Sequence, residues 1–223
     1  MSTRIRLATW ELHSPVSERL PGAAWQRELI EMRGRVLYEL SGCGKFRLPD
    51  GTFTDSDGLD AHCYHLLARC DGRVVGCCRA LFLARASASV AEWLLGRSGL
   101  EDLLSKAGGA REKTAEVSRW LVVPAYRNTP VATGLILGMW AVIRSLGVWH
   151  ALGMAGTRDG QDRMLMRFGA RRVPGFEPIP SSQFAQAVVP VWLDLMCPPP
   201  RWAPLVGQMA DRLELPSPQG TGP

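Results

Sequence analysis

The segment Glu116-Val117-Ser118-Arg119-Trp120-Leu121-Val122-Val123 sets a carboxylate and a guanidinium three residues apart in a run otherwise made of core-type residues. Alternation predicts a strand with Glu116, Ser118 and Trp120 on one face and Val117, Arg119 and Leu121 on the other. Opposite charges inside such a strand are costly unless they are paired or used. One reading is a structural ion pair, Arg119 with Asp57 or Asp60. The other is a working site, in which a carboxylate at a strand position takes a proton from a bound substrate.

The surrounding chain supplies elements to position these groups. Trp25, Leu29, Met32 and Val36 recur at helical spacing, predicting an amphipathic helix over 23–40 that Gly42 and Gly44 end. A turn-rich connection over 48–58, with Pro49-Asp50-Gly51, is long enough to be a functional loop. Runs over 63–70 and 73–83 are joined by Asp71-Gly72, a hairpin signal. A helix is expected over 86–106, then the strand over 115–123. Next come a turn, a helix over 130–146 opened by Pro130, a strand over 149–156 and a helix over 159–168. A last strand over 187–196 contains Pro190, which implies an edge or a bulge. This order predicts an α/β fold with a mixed, mostly antiparallel sheet and helices on both faces. One domain is expected over 1–197, with a proline-rich, partly disordered tail over 198–223 that holds at most a short helix near 204–213.

Composition narrows the classes. The 223 residues, 46% hydrophobic and 21% charged, fit one globular domain. No apolar run approaches the roughly 20 residues that span a bilayer, and the basic N-terminus has no apolar stretch behind it, so a cytoplasmic protein is expected. The net charge of +5 is too mild to argue for nucleic acid. Arg158, Arg163, Arg167, Arg171 and Arg172 lie close together, either as a patch for an acidic partner or as a solvated helix face. Cys43, Cys63, Cys70, Cys77, Cys78 and Cys197 form no CxxC pair and no ligand spacing with histidine, so buried reduced thiols and no metal site are expected. Adjacent Cys77 and Cys78 should point to opposite faces.

A strand, then Val-Val-Pro-x-Tyr-Arg, then a helix resembles the way GNAT-superfamily enzymes hold an acyl thioester. Their Arg-x-x-Gly-x-Gly/Ala loop offers backbone N–H groups to the cofactor pyrophosphate at a helix N-terminus. Here the run is Arg127-Asn128-Thr129-Pro130-Val131-Ala132, and Pro130 removes one donor. That substitution favours a donor with a single phosphate on a pantetheine arm over coenzyme A.

A broader resemblance is to the acyl-homoserine-lactone (autoinducer) synthases of quorum sensing and to the long-chain N-acyl amino acid synthases. It is carried by Met32-Arg33-Gly34-Arg35-Val36, Asp57-Gly58-Leu59-Asp60, Val75-Gly76-Cys77-Cys78-Arg79, Glu116-Val117-Ser118-Arg119-Trp120 and Arg163-Met164-Leu165-Met166-Arg167-Phe168-Gly169. The resemblance implies an acceptor side built from Arg33, Asp57, Asp60, Arg79, Arg119 and Trp120, and donor binding by Leu121, Val122, Val123, Arg127, Asn128 and Thr129. It further implies an acyl-phosphopantetheine (acyl-carrier-protein) or acyl-coenzyme A co-substrate, an acidic carrier protein as partner, and a small amine acceptor, S-adenosylmethionine or an amino acid. Leu37 and Cys43 stand where the family has aromatics, and Ala80-Leu81-Phe82-Leu83 follows Arg79; both departures count against S-adenosylmethionine and leave acyl transfer untouched.

Acyl transfer needs a base for the attacking amine and donors for the developing oxyanion. Glu116 is the expected base, backbone N–H groups near Leu121 to Val123 the expected oxyanion donors, and Ser118 a helper. Trp120, Met139, Trp140, Leu152, Met154, Met164 and Met166 are candidates to line an acyl slot, or else ordinary core. A coenzyme-A-dependent acetyltransferase and a non-catalytic acyl or carrier-protein binding domain are the alternatives.

Overall fold

The computed structural model describes residues 8–15, 23–182 and 184–216. One eight-stranded sheet organises them, in the order β1-β2-β3-β4-β5-β8-β6, with β7 also paired to β8. The strands are β1 (Thr9–His13), β2 (Cys63–Cys70), β3 (Arg73–Phe82), β4 (Thr114–Val122), β5 (His150–Gly156), β6 (Arg171–Arg172), β7 (Ile179–Ser181) and β8 (Gln186–Asp194). Every pairing is antiparallel except β4 with β5. The helices are α1 (Ala24–Ser41), α2 (Val90–Ala107), α3 (Val131–Ser145), α4 (Gln161–Arg167) and α5 (Ala203–Arg212). The mixed, mostly antiparallel fold expected from the sequence is therefore the one observed.

Side-chain alternation divides the sheet. On the front, Leu29 of α1 packs on Leu67, Cys77 and Leu121, and Leu100 and Leu103 of α2 pack on Leu152 and Trp192. On the back, Leu135, Met139 and Trp140 of α3 and Val206 and Met209 of α5 cover Leu66, Cys78, Ala80 and Ala115, while Leu165 of α4 packs on Ala155 and Val191. Cys77 and Cys78 do point to opposite faces. The Asp71-Gly72 turn has φ of 52° and 74°, the left-handed pair that a two-residue hairpin needs. Gly42, at φ 64°, ends α1 with its N–H on Tyr38 O at 2.7 Å.

Several elements differ from the sequence reading. Strand β1 was not foreseen: Trp10 pairs with Ala68 and lays its ring against Gly134 of α3, and Arg69 ties the strand down through Glu11 at 2.8 Å and Glu28 at 2.7 Å. Pro190 is not on the sheet's edge, because β8 is paired on both sides. Its carbonyl accepts from Val173 N–H at 3.2 Å on the outer side, so its missing N–H falls between the two short strands β6 and β7, where no ladder needs it. Helix α2 breaks at Gly96 (φ 72°, ψ 167°). The short helix in the proline-rich tail is α5, packed on α3 through Val206 and Met209. The disorder expected at the chain end falls on 217–223, outside the described residues.

A Cβ at Gly134 would lie 2.3 Å from Trp10 Cη2, whereas one at Gly207, inside α5, meets nothing within 4 Å. Gly134→Ala should therefore cost about 2 kcal/mol by urea denaturation, and Gly207→Ala should be neutral or stabilising by up to about 1 kcal/mol.

Candidate active site

Strand β4 starts as alternation requires, with Glu116 and Ser118 facing front opposite Leu81 and Arg79 of β3. Two residues, Arg119 and Trp120, then stand opposite Cys78 alone, a β-bulge with Arg119 at φ 55°. The bulge reverses the predicted parity beyond it. Arg119 joins Glu116 and Ser118 on the front, and Trp120 turns to the back, where its indole N–H donates to Ala132 O at 3.1 Å. The two-face assignment of Glu116 against Arg119 is thus corrected, and so is the placing of Trp120 beside the charged groups.

Arg119 bonds Asp55 through Nε (2.6 Å) and Nη2 (3.0 Å) and Asp57 through Nη2 (2.9 Å). Arg79 bonds Asp57 at 2.8 and 2.5 Å, Asp60 at 2.7 Å and Ser118 Oγ at 3.0 Å. Arg33 bonds Asp60 at 2.8 and 2.5 Å and the Asp55 carbonyl at 2.5 Å, with Nε 3.1 Å from Asp55 Oδ2. The circuit Arg33–Asp60–Arg79–Asp57–Arg119–Asp55 closes on itself on the front of the sheet: three buried cations and three anions, Asp55 buried and Asp57 and Asp60 half-buried. Burial alone would raise the Asp57 and Asp60 carboxyls; their arginine partners hold both below the ordinary range, Asp60 far below it. Asp55 was missed by the sequence reading, although it lies two residues before Asp57 and three arginines call for a third acid.

The circuit binds the connection between α1 and β2 onto the sheet. Gly34 makes the approach possible, since a Cβ there would lie 2.3 Å from Thr54 N. His65 sits beneath, with Nε2 donating to Asp60 O at 2.8 Å; burial lowers its ordinary value of 6.5 to about 4.

Beside the circuit β4 and β5 pair only over Thr114–Glu116 and His150–Leu152, then part. The gap opens into a cavity of about 610 Å³ that crosses the sheet. Its front mouth is lined by Val90, Glu116, Ser118, Arg119, Met154, Phe184 and Gln186, and its back chamber by Trp120, Ile136, Met139, Trp140, Ile143 and Met164. Of the acyl-slot candidates only Met166, exposed on α4, stands outside this wall. Arg33, Asp57, Asp60 and Arg79 do not line the cavity either; their charges are spent on one another.

Glu116 is 1% exposed, and its carboxylate accepts from the N–H groups of Val90 (2.9 Å) and Ala91 (2.7 Å) at the start of α2. Burial pushes its pKa up, against those bonds and Arg79, which pull it down. Val123 N–H is spent on Val75 O at 2.9 Å. Strand alternation then turns the amide of Leu121 the same way and that of Val122 toward the gap, so of the three expected oxyanion amides Val122 fits and the others do not. Arg127 lines the cavity, with Nε on Val122 O at 3.3 Å; Asn128 and Thr129 lie outside the wall, and Thr129 Oγ1 takes the Val131 amide at 3.3 Å. Pro130 stands immediately before α3. The amides of Ala132 and Thr133 lie in the first turn of α3, before the helical ladder.

A family model described as an acetyltransferase (GNAT) domain matches residues 35–137. Over those residues, just under half of the chain, the sequence resembles a GNAT domain. No curated protein sequence matches it. Among solved structures it is similar to BjaI, a CoA-dependent acyl-homoserine lactone synthase with SAM and isopentyl-CoA, at TM-score 0.64 and 20% identity over 97% of this chain and 94% of that one. TofI, in a ternary complex with an inhibitor and MTA, gives TM-score 0.62 and 22% identity over 93% and 97%. The AHL synthase LasI gives 0.54 and 16% over 84% and 91%. At these identities the likeness is one of fold.

Among the described residues no three His, Cys, Asp or Glu side chains gather to hold a metal, and no helix is long and apolar enough to cross a membrane. Four cysteines are buried, with Cys63 and Cys77 pushed up to about 12 by burial; Cys43 is half-buried and Cys197 exposed, against the expectation for all six. All five arginines of the expected patch are exposed. Arg158 pairs with Asp159, Arg172 with Asp162, and Arg171 bonds Ala107 O.

Two outcomes follow. Gly34→Ala should push the Thr54 backbone and its aspartates off the sheet, costing about 2–3 kcal/mol in chemical denaturation. His65 binds its proton more weakly folded than unfolded, so stability is full above about 6.5 and falls toward about 4. The loss should approach about 3 kcal/mol and be much smaller in His65→Gln when both are unfolded at matched pH values.

Proposed function

We propose that the chain is an N-acyltransferase that moves an acyl group from a pantetheine thioester to the amine of a small acceptor, giving an N-acyl amino acid or an acyl-homoserine lactone. The observation that supports this best is the cavity crossing the sheet where β4 and β5 part, apolar behind and polar in front, with one buried carboxylate on its wall. The acyl chain would occupy the back chamber among Trp120, Met139, Trp140 and Met164, and the acceptor amine would enter from the front.

Glu116 takes a proton from the acceptor ammonium, directly or through water, leaving a neutral amine. The amine adds to the thioester carbonyl, and the Val122 amide meets the developing oxyanion. Collapse breaks the C–S bond, and the departing thiolate is reprotonated. Arg33, Asp57, Asp60, Arg79 and Arg119 hold the wall and the overlying connection in place, with Arg119 alone of the five reaching the cavity.

An acyl carrier protein is the proposed donor carrier. Pro130 thins the cradle for a pyrophosphate, and the exposed arginines around α4 offer an acidic protein a surface. Acyl-coenzyme A is the second reading, favoured by the Ala132 and Thr133 amides that remain at the start of α3.

Mass spectrometry of lipid extracts from expressing cells should reveal a new N-acylated species whose head group names the acceptor. The same extracts from Glu116→Gln cells should lack it, and the purified variant should stay folded while losing turnover by about 10²–10⁴-fold. Near-wild-type turnover would remove Glu116 as the base, and acetylated products alone would favour the coenzyme A reading.

A further inference from the structure

Glu116 does not stand alone on the cavity wall: the first turn of α2 is built around it. Its carboxylate is held by two consecutive amides, Val90 and Ala91, from a turn that Gly96 detaches from the rest of the helix. The residue before the turn, Ser89, is buried, and its Oγ accepts from Glu92 N–H at 3.1 Å as the cap of α2. The residue that caps the helix thereby aims the two amides at the carboxylate.

We propose that Ser89 is a positioning residue for Glu116: by capping the first turn of α2 it holds the Val90 and Ala91 amides on the carboxylate and so fixes the rotamer of Glu116 at the cavity. This rests on reading Glu116 as the base. Two hydrogen bonds to the charged form favour it, while burial disfavours it, so the balance decides where the group titrates. The other charged and titratable groups facing Glu116 are Arg79 from β3 and Cys63 from β2. Neighbouring Leu152 of β5 is apolar. Glu92 is turned away, 3.7 Å from Arg111.

Removing the hydroxyl loosens the turn that carries both donors, which raises the pH at which Glu116 loses its proton. Infrared difference titration of the intact protein reads this directly, through the C=O stretch of a protonated buried carboxyl, assigned by its absence in Glu116→Gln. Ser89→Ala should move the midpoint of that band up by about one pH unit, and Ser89→Thr, which keeps the cap, should restore it. A midpoint in Ser89→Ala equal to that of the wild type would overturn the proposal, as would a Ser89→Thr midpoint no different from that of Ser89→Ala. Turnover separates this from the reading beneath it. An active Glu116→Gln enzyme would remove the base while the titration shift still stood, whereas an unshifted band beside an inactive Glu116→Gln would remove Ser89 alone.

Discussion

Three buried arginines and three aspartates in one closed circuit are the constraint on which this site depends. Each charge taken out of water is costly, and only a partner at hydrogen-bonding distance repays the cost. Arg33 comes from α1, Arg79 from β3, Arg119 from β4, and the three aspartates from the connection between α1 and β2. Neutrality therefore has to be assembled from four separate pieces of chain. That requirement explains features with no local rationale. Arg119 accepts φ 55°, a conformation unusual for a side chain of its size, because the bulge brings its guanidinium to the face where Asp55 and Asp57 lie. Gly34 is bare because the connection carrying those aspartates rests directly on it.

The same bulge separates two environments. Before it, Glu116 and Ser118 face the charged front; after it, Trp120 is handed to the apolar back, under α3. Where β5 then leaves β4, the sheet itself becomes a partition with an opening in it. One strand thus supplies a carboxylate to one side of the opening and an indole to the other. The fold is shared with BjaI, TofI and LasI at low identity.

Much of the architecture was legible in the chain because its signals are local. Helical spacing at Trp25, Leu29, Met32 and Val36, the Asp71-Gly72 turn and the glycine after α1 each act within a few residues. The charged members Arg33, Asp57, Asp60, Arg79, Glu116 and Arg119 were legible too, since charges in core-type runs demand an explanation. Three features were not. Asp55 sits in a polar connection where one more acid is unremarked until the arginines are counted against their partners. Strand β1 is short and lies on the sheet edge, so its pairing with β2 depends on Arg69, far along the chain. The parity of Trp120 followed a rule that a single extra residue reverses.

The sequence by itself determined the order of elements, the mixed sheet and the strand bearing Glu116. These follow from periodicity and turn chemistry, which the chain carries wherever it folds. Only the tertiary structure decided which charges are spent and which remain for chemistry. Arg33, Arg79, Asp57 and Asp60 neutralise one another away from the cavity, whereas Glu116 reaches it in the grip of α2. Such choices depend on distances of about 3 Å between residues remote in sequence, and burial makes those distances decisive.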